Sequence, residues 1–134
     1  MYFKGQYYHN LDTKSRLFIP ARFREALGEE FVVFKAPDNC LFLYPADRFD
    51  EISKQFVNNP NRAVQRAFFA NTADASQDKQ GRFTLTEEQL KHAEINGEAV
   101  FVGAGERIEL WNLAEFEKAY MPSEKLDTMD DFIF

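Results

Sequence analysis

The sequence predicts an α+β fold built from two related halves, and two observations carry that prediction. A charged pentapeptide occurs as Asp12-Thr13-Lys14-Ser15-Arg16 and again, 66 positions later, as Asp78-Lys79-Gln80-Gly81-Arg82. Each copy places an arginine four residues after an acid, and a short apolar run follows it. The likeness extends to two later pairs of segments: 27–33 with 95–102, and 41–44 with 108–111. Because two copies are too few for a solenoid, they indicate a pseudo-symmetric pair that shares one core.

The first half reads as strand, charged turn, strand, helix, strand, strand and helix. The predicted strands are 2–8, 17–19, 31–35 and 40–44, with helices over 21–27 and 46–57 and a turn over 10–15. Pro20 favours a helix start, since proline is tolerated in the first helical turn, and Gly28 is suited to end that helix. The spacing of Phe49, Ile52 and Phe56 predicts the second helix.

The second half follows a link around Asn58–Asn61. Asn61 can cap a helix over 62–71, and residues 72–77 lead into the second turn. Thr86 and Gln89 have the spacing of a capping box, which predicts a helix over 87–93. A hairpin of 99–103 with 107–111 and a closing helix over 113–120 complete the chain. The units are then a first repeat 1–57, a linker with a helix 58–72, a second repeat 73–120 and an acidic tail 121–134.

Composition excludes several classes of protein. With one cysteine, Cys40, no disulfide can form within the chain, which fits a reducing compartment. The first residues lack the apolar region of a signal peptide, and no apolar run approaches the ~18 residues of a membrane span. We therefore expect a cytoplasmic protein without membrane association.

The charge distribution is uneven. The formal net charge is −6, which argues against a nucleic-acid partner at first sight. Residues 1–27 nevertheless hold five basic and two acidic side chains, a net +3 that leaves −9 for the remainder. Residues 115–134 hold six acids against two lysines. Such asymmetry can orient a protein on DNA, although scattered charge on a soluble acidic protein is an open alternative.

The two charged turns are the main candidate site. Asp12 and Asp78 have the position to structure their loops by accepting local amides and by pairing with their arginines. A second interpretation adds DNA contact, because the planar fork of arginine binds guanine or phosphate through two hydrogen bonds. The candidate DNA-binding residues are Lys14, Arg16, Lys79 and Arg82 on the turns, with Arg22 and Arg24 beside the first. The last two could also lie on a solvated helix face.

Catalytic and metal chemistry find little support. His9 and His92 are far apart, and Cys40 lies alone in an apolar run, so no spacing suggests a zinc site. The glycines of Gly103-Ala104-Gly105 are too few for a phosphate loop. We expect no enzyme, no cofactor and no bound metal.

The order of residues resembles the MraZ family of bacterial transcription regulators over roughly residues 1–120. The residues that carry the resemblance are Gly5-Gln6-Tyr7, His9-Asn10-Leu11-Asp12, Lys14, Arg16-Leu17, Ile19-Pro20-Ala21, Phe23-Arg24, Gly28, Cys40-Leu41-Phe42-Leu43-Tyr44-Pro45 and Asp78-Lys79-Gln80-Gly81-Arg82. The family is similar to AbrB-type swapped-hairpin proteins, and its members bind DNA as ring-shaped oligomers. One departure is Ser15, where the family usually has glycine.

The resemblance implies a fold and a function. The fold would be two AbrB-like swapped-hairpin repeats that form an intramolecular pseudo-dimer β-barrel with flanking helices. The function would be that of a sequence-specific transcriptional regulator. It would act on direct repeats in the promoter of the cell-division and cell-wall gene cluster, in the cytoplasm at the nucleoid, as a homo-oligomer that is a ring. The alternative is a ring-forming structural or protein-interaction scaffold without specific DNA binding.

Overall fold

The computed structural model describes residues 2–120 and 133. These residues form the following strands and helices, in chain order: β1 (Phe3–Asn10), β2 (Arg16–Phe18), α1 (Ala21–Leu27), β3 (Glu30–Ala36), β4 (Cys40–Pro45), α2 (Ala46–Val57), α3 (Arg62–Phe69), β5 (Thr72–Ser76), β6 (Arg82–Thr84), α4 (Glu87–Ala93), β7 (Glu98–Gly105), β8 (Ile108–Asn112) and α5 (Leu113–Ala119). The expected acidic tail lies outside the described residues, except for Ile133.

The local signals of the sequence place most helix boundaries correctly. Helices α1, α2 and α4 begin and end at the predicted residues. Asn61 caps α3 through its side-chain oxygen, and the Thr86–Gln89 capping box of α4 is present. Helix α3 ends at Phe69 rather than at residue 71, and residues 72–76 form a strand rather than a plain lead-in. That strand is polar and has weak β-propensity, so its pairing with β3 decides its structure.

The strands form two antiparallel sheets. A six-stranded sheet has the order β1-β7-β8-β4-β3-β5, and β2 pairs with β6 in a separate two-stranded ribbon. The first strand of each half pairs with the third strand of the other half, since β1 lies beside β7 and β5 beside β3. The predicted α+β organisation in two related halves is confirmed. A closed barrel is not seen in the described part of the chain, where the large sheet is open and the ribbon contacts its two edge strands.

Apolar side chains on the two faces of the large sheet form two clusters. One cluster packs the sheet against the ribbon and against α1 and α4, and it contains Leu17 and Phe83. The other cluster includes Trp111 and Phe116 and lies on the opposite face. Leu17 and Phe83 are opposite each other in the ribbon and both are almost fully buried. Each contributes roughly 2 kcal/mol by burial, so the orientation of the ribbon on the core is strongly set.

The helices of the described residues are short. None combines enough length with enough apolar character to cross a lipid bilayer.

Candidate nucleic-acid interface

The first charged turn is organised by one carboxylate. Asp12 Oδ1 accepts the backbone amides of Lys14 and Arg16 at 2.8 and 2.9 Å. Its other oxygen, Oδ2, accepts Nε of Arg16 at 2.8 Å. The Asp12 amide also donates to the Arg16 carbonyl at 2.9 Å. One acidic side chain therefore closes the turn and holds the base of the arginine side chain.

The second turn repeats this arrangement. Asp78 Oδ1 accepts the amides of Gln80 and Arg82, both at 2.9 Å, and Oδ2 accepts Arg82 Nε at 2.8 Å. The Asp78 amide donates to the Arg82 carbonyl at 2.9 Å. The two turns thus have the same hydrogen bonds although their middle residues differ.

The departure at Ser15 leaves the turn geometry intact. Ser15 has φ 59° and Gly81, at the equivalent position, has φ 83°. Both are left-handed conformations, which glycine adopts freely and which cost other L-residues roughly 1–2 kcal/mol. The remaining hydrogen bonds of the loop hold Ser15 in this conformation.

The two turn arginines are held at their inner nitrogen, Nε. Nε of Arg16 and of Arg82 is engaged by an aspartate, and within the described residues no protein acceptor is bonded to their terminal nitrogens. About a quarter of each side chain is exposed, 26% for Arg16 and 27% for Arg82. A guanidinium fixed at Nε, with both terminal amines free, is suited to bind a phosphate or the O6/N7 edge of guanine.

The ribbon brings the two arginines onto one surface. Arg16 is opposite Thr84 and Phe18 is opposite Arg82, on the face that points away from the buried Leu17–Phe83 pair. Strand spacing puts the two arginine Cα atoms on the order of 8 Å apart. Because β2 and β6 are antiparallel, the two turns lie at opposite ends of this ribbon. Two sites far apart in sequence thereby become one surface with approximate twofold symmetry.

The lysines add charge at the turns. Lys14 and Lys79 are exposed, and within the described residues neither forms an ion pair. The two pentapeptides together hold four basic and two acidic side chains, which gives a net charge of +2. This surface is positive on a chain whose net charge is −6.

The two helix arginines have different surroundings. Arg24 packs against the second turn, where its Nε donates to the Ile19 carbonyl at 2.7 Å and its side chain contacts the Cα side of Gly81. Arg22 is exposed and lines a depression with Arg48 and four acidic side chains: Glu25, Asp47, Glu51 and Glu106. The structure therefore brings Arg24 to the turns and places Arg22 in an acidic neighbourhood.

Both turn aspartates have lowered pKa values. Desolvation works to raise the pKa of Asp12, but the hydrogen bonds from Arg16 and Lys14 and the charge of Arg16 outweigh it. For Asp78 the amide of Arg82 is the largest cause, and it lowers the pKa against the opposing effect of desolvation. Both carboxylates are consequently ionised near neutral pH, the state in which they can accept these hydrogen bonds.

The remaining candidates for catalysis are Cys40 and the two histidines. Burial, with the nearby charges of Glu109 and Asp38, raises the pKa of the Cys40 thiol to about 12, so it is not a nucleophile at neutral pH. His92 Nε2 lies 2.7 Å from the Ala36 carbonyl, and His9 packs edge-on against Phe101. Among the described residues, no group of three or more His, Cys, Asp or Glu side chains is placed to hold a metal ion.

Two residues near the turns were missed by the sequence reasoning. Gln77 donates from Nε2 to the carbonyls of Arg24 and Gly28 at 2.9 and 2.8 Å, and so ties the second turn to α1. Phe18 is exposed on the ribbon surface beside Arg82. Alternation with Leu17 and Ile19 could have predicted the exposure of Phe18. No local signal marks Gln77, because its partners are about fifty positions away.

The comparisons with known proteins agree with two copies of one unit. A family model described as "MraZ protein, putative antitoxin-like" matches the chain twice, over residues 2–67 and 68–132. A protein of Carboxydothermus hydrogenoformans named Transcriptional regulator MraZ is 45% identical over 115 residues, 82% of this chain and 80% of that protein. Its namesake from Desulforamulus reducens is 40% identical over 121 residues, 87% of this chain and 85% of that protein. Its namesake from Lachnoclostridium phytofermentans is 38% identical over 133 residues, 96% and 91% of the two chains.

Proposed function

This chain belongs to the MraZ family, and we propose that it is a sequence-specific DNA-binding transcriptional regulator. It acts on direct repeats in the promoter of the cell-division and cell-wall gene cluster, in the cytoplasm at the nucleoid. The observation that carries this proposal is the pairing of β2 with β6. That pairing places Arg16 and Arg82 on one surface, where no acceptor among the described residues binds the terminal amines of either arginine.

The contacts divide into two kinds. Arg16 and Arg82 project from the ribbon and read base edges, because each is held by an aspartate and keeps a two-donor edge for guanine. Lys14 and Lys79 at the turns bind phosphates, which position the protein without reading sequence. Arg24 adds charge behind the second turn. Arg22 has the weakest support among the helix arginines, since four carboxylates line the same depression.

The exchange of strands supports a swapped-hairpin pseudo-dimer within one chain. Each half lends its first strand to the other half, and the two turns sit on opposite ends of the shared ribbon. In this arrangement one chain carries the two recognition turns that a symmetric dimer would supply from two chains.

Useful affinity needs several subunits at once. The ribbon surface of one subunit has few basic side chains, and the chain has a net charge of −6. A single subunit therefore binds DNA weakly, and its affinity falls as the salt concentration rises. A ring of identical subunits presents neighbouring surfaces at high effective concentration, which can raise affinity by ~10²–10⁴. The DNA must then contain several copies of the recognition sequence (the DNA word) in direct orientation. Their spacing must be close to a helical turn, ~10 base pairs, so that successive copies face the same side.

The test is a gel shift on the DNA upstream of the protein's own gene, followed by synthetic probes. Probes carry one, two, or three and more copies of the word, and one probe shifts the spacing by half a helical turn. We expect affinity to rise steeply with copy number, to fall with salt and to drop for the shifted probe. The mass of the protein in solution, measured alongside, reports the ring.

Two outcomes contradict the proposal. Equal affinity for all probes would show that each subunit binds alone. An absent or salt-independent shift would remove DNA recognition and favour the scaffold, in which the ring recruits protein partners.

A further inference from the structure

We propose that Phe18 is a specificity-determining residue that contacts the C5-methyl group of a thymine beside the bases read by the ribbon arginines. This inference rests on the proposed function, because it concerns the same DNA-contacting surface. It names a contact that the charged pentapeptides do not supply.

Phe18 is an apolar ring in a polar setting. Its side chain is 41% exposed, although its neighbours Leu17 and Ile19 are buried. The outward face of the ribbon consists of Phe18 with Arg16, Arg82 and Thr84. A single exposed apolar residue is ordinary on a protein surface. Here, however, Phe18 neighbours both arginines that carry the proposed function, since it is opposite Arg82 and two residues from Arg16 on the same face.

The ring also contacts one of these arginines. The guanidinium carbon of Arg82 lies 6.0 Å from the centre of the Phe18 ring. If Arg82 binds a guanine, the Phe18 ring will therefore lie next to the neighbouring base pair. In the major groove the thymine methyl is the one apolar group that a base pair presents. Phenylalanine can bury that methyl but cannot form a hydrogen bond to any base edge.

Phe18 breaks the symmetry of the surface. It corresponds in the second half to Thr84, since Arg16-Leu17-Phe18 aligns with Arg82-Phe83-Thr84. Arg82 therefore has an aromatic neighbour across the ribbon, whereas Arg16 has a threonine. A surface with perfect twofold symmetry would read a palindrome. An asymmetric surface binds a DNA sequence that is not palindromic. Only for such a sequence do direct repeats differ from inverted repeats.

The experiment replaces each thymine of the bound DNA by deoxyuridine, which removes only the C5-methyl. Affinity is measured for wild type, for Phe18→Ser, which has no apolar group to place on a methyl, and for Phe18→Leu, which keeps an apolar side chain. Phe69→Ala is the control, because Phe69 is similarly exposed, at 38%, but lies on α3. Melting temperature and mass in solution verify that each variant folds.

We expect one or two positions at which deoxyuridine weakens wild-type binding about four-fold, the effect of one buried methyl. At these positions Phe18→Ser should bind the thymine and the deoxyuridine probes equally, while Phe18→Leu and Phe69→Ala should respond as wild type does. Wild-type binding that tolerates deoxyuridine at every position overturns the inference. An equal response of Phe18→Ser and wild type to deoxyuridine also overturns it, and both results leave the proposed function standing. Wild type that binds no upstream DNA overturns the proposed function itself, and this inference with it.

Discussion

The first turn, Asp12–Arg16, and the second, Asp78–Arg82, enclose different residues in the same set of hydrogen bonds. In each, the aspartate accepts two amides and one arginine Nε. The residues between them are Thr-Lys-Ser in one case and Lys-Gln-Gly in the other. The comparison shows that the aspartate and the arginine set the shape, while the middle residues are free to vary. Under the proposed function, these middle residues set the chemistry presented to DNA.

The two turns differ in what supports them. The second turn packs on polar side chains, since Arg24 lies against Gly81 and Gln77 bonds to two carbonyls of the first half. The equivalent positions around the first turn are occupied by Leu90 and Leu11, which pack against the apolar cluster that contains Leu17 and Phe83. The residues that pack behind the two turns thus differ, although the turns themselves are alike. Substitutions at equivalent positions should therefore have unequal effects on stability.

The largest effect is expected at the arginines. Arg16→Ala should weaken DNA binding by about 1–3 kcal/mol, that is about 5- to 150-fold, because it removes the proposed two-donor base contact. Arg82→Ala should follow it with an equal or smaller loss, since the first turn lies in the more basic part of the chain. Arg16→Lys keeps the charge but lacks the fork, so it should not restore affinity. Binding isotherms check all three variants.

Arg62→Ala is the matched control, because Arg62 is exposed at the start of α3. It should bind as wild type does. Wild-type affinity of Arg16→Ala would show that the arginine does not contact DNA. A parallel fall of affinity and melting temperature would show that Arg16 serves the loop alone.

The next effect concerns stability, at Gly81. A Cβ placed there would clash with Arg24 Nε, and the φ of 83° is strained for alanine. Gly81→Ala should therefore lower the free energy of unfolding by about 2 kcal/mol, whereas Ser15→Ala, already a non-glycine site, should change it little. Denaturant unfolding of the two variants measures the difference. Equal losses at both positions would mean that the turns are supported alike.

Local signals predicted much of this molecule. The caps of α3 and α4, the proline and glycine around α1 and the closing of both turns depend on residues within about four positions of one another. The two-half pattern also came from the sequence directly, since the repeated pentapeptide is visible in it.

The rest depends on contacts between distant segments. The pairing of β2 with β6 and the exchange of β1 and β5 join residues more than 30 positions apart. No spacing in the sequence shows that Phe18 is opposite Arg82, or that Arg24 supports Gly81. The prediction of Arg24 as a DNA contact stays a prediction, but its internal hydrogen bond to Ile19 was not foreseen.

A smaller effect is expected at the lysines, which occupy the third position of the first turn and the second position of the other. Both are exposed, so each should bind a phosphate rather than a base. Lys14→Ala and Lys79→Ala should each weaken binding equally for cognate and altered recognition sequences. Each should also reduce the slope of log affinity against log salt concentration by about one per subunit surface. Titrations at several salt concentrations measure this. A lysine variant that changes word preference with an unchanged slope would place that lysine on a base edge.

The smallest effect, and the one that tests the comparison most directly, is Ser15→Gly. Ser15 holds a φ of 59° that glycine reaches without a Cβ penalty. Glycine also gains freedom in the unfolded chain, which costs roughly 0.5–1 kcal/mol on folding. The two terms oppose each other, so the net gain in the free energy of unfolding should be small, up to about 1 kcal/mol. DNA affinity should stay unchanged, because among the described residues the Ser15 side chain forms no hydrogen bond to the turn and the aspartate holds the shape. Denaturant unfolding and binding isotherms are measured together.

A gain in stability with unchanged affinity would confirm that the Asp–Arg pair alone sets the recognition geometry. A loss of affinity would show that the serine hydroxyl itself contacts DNA.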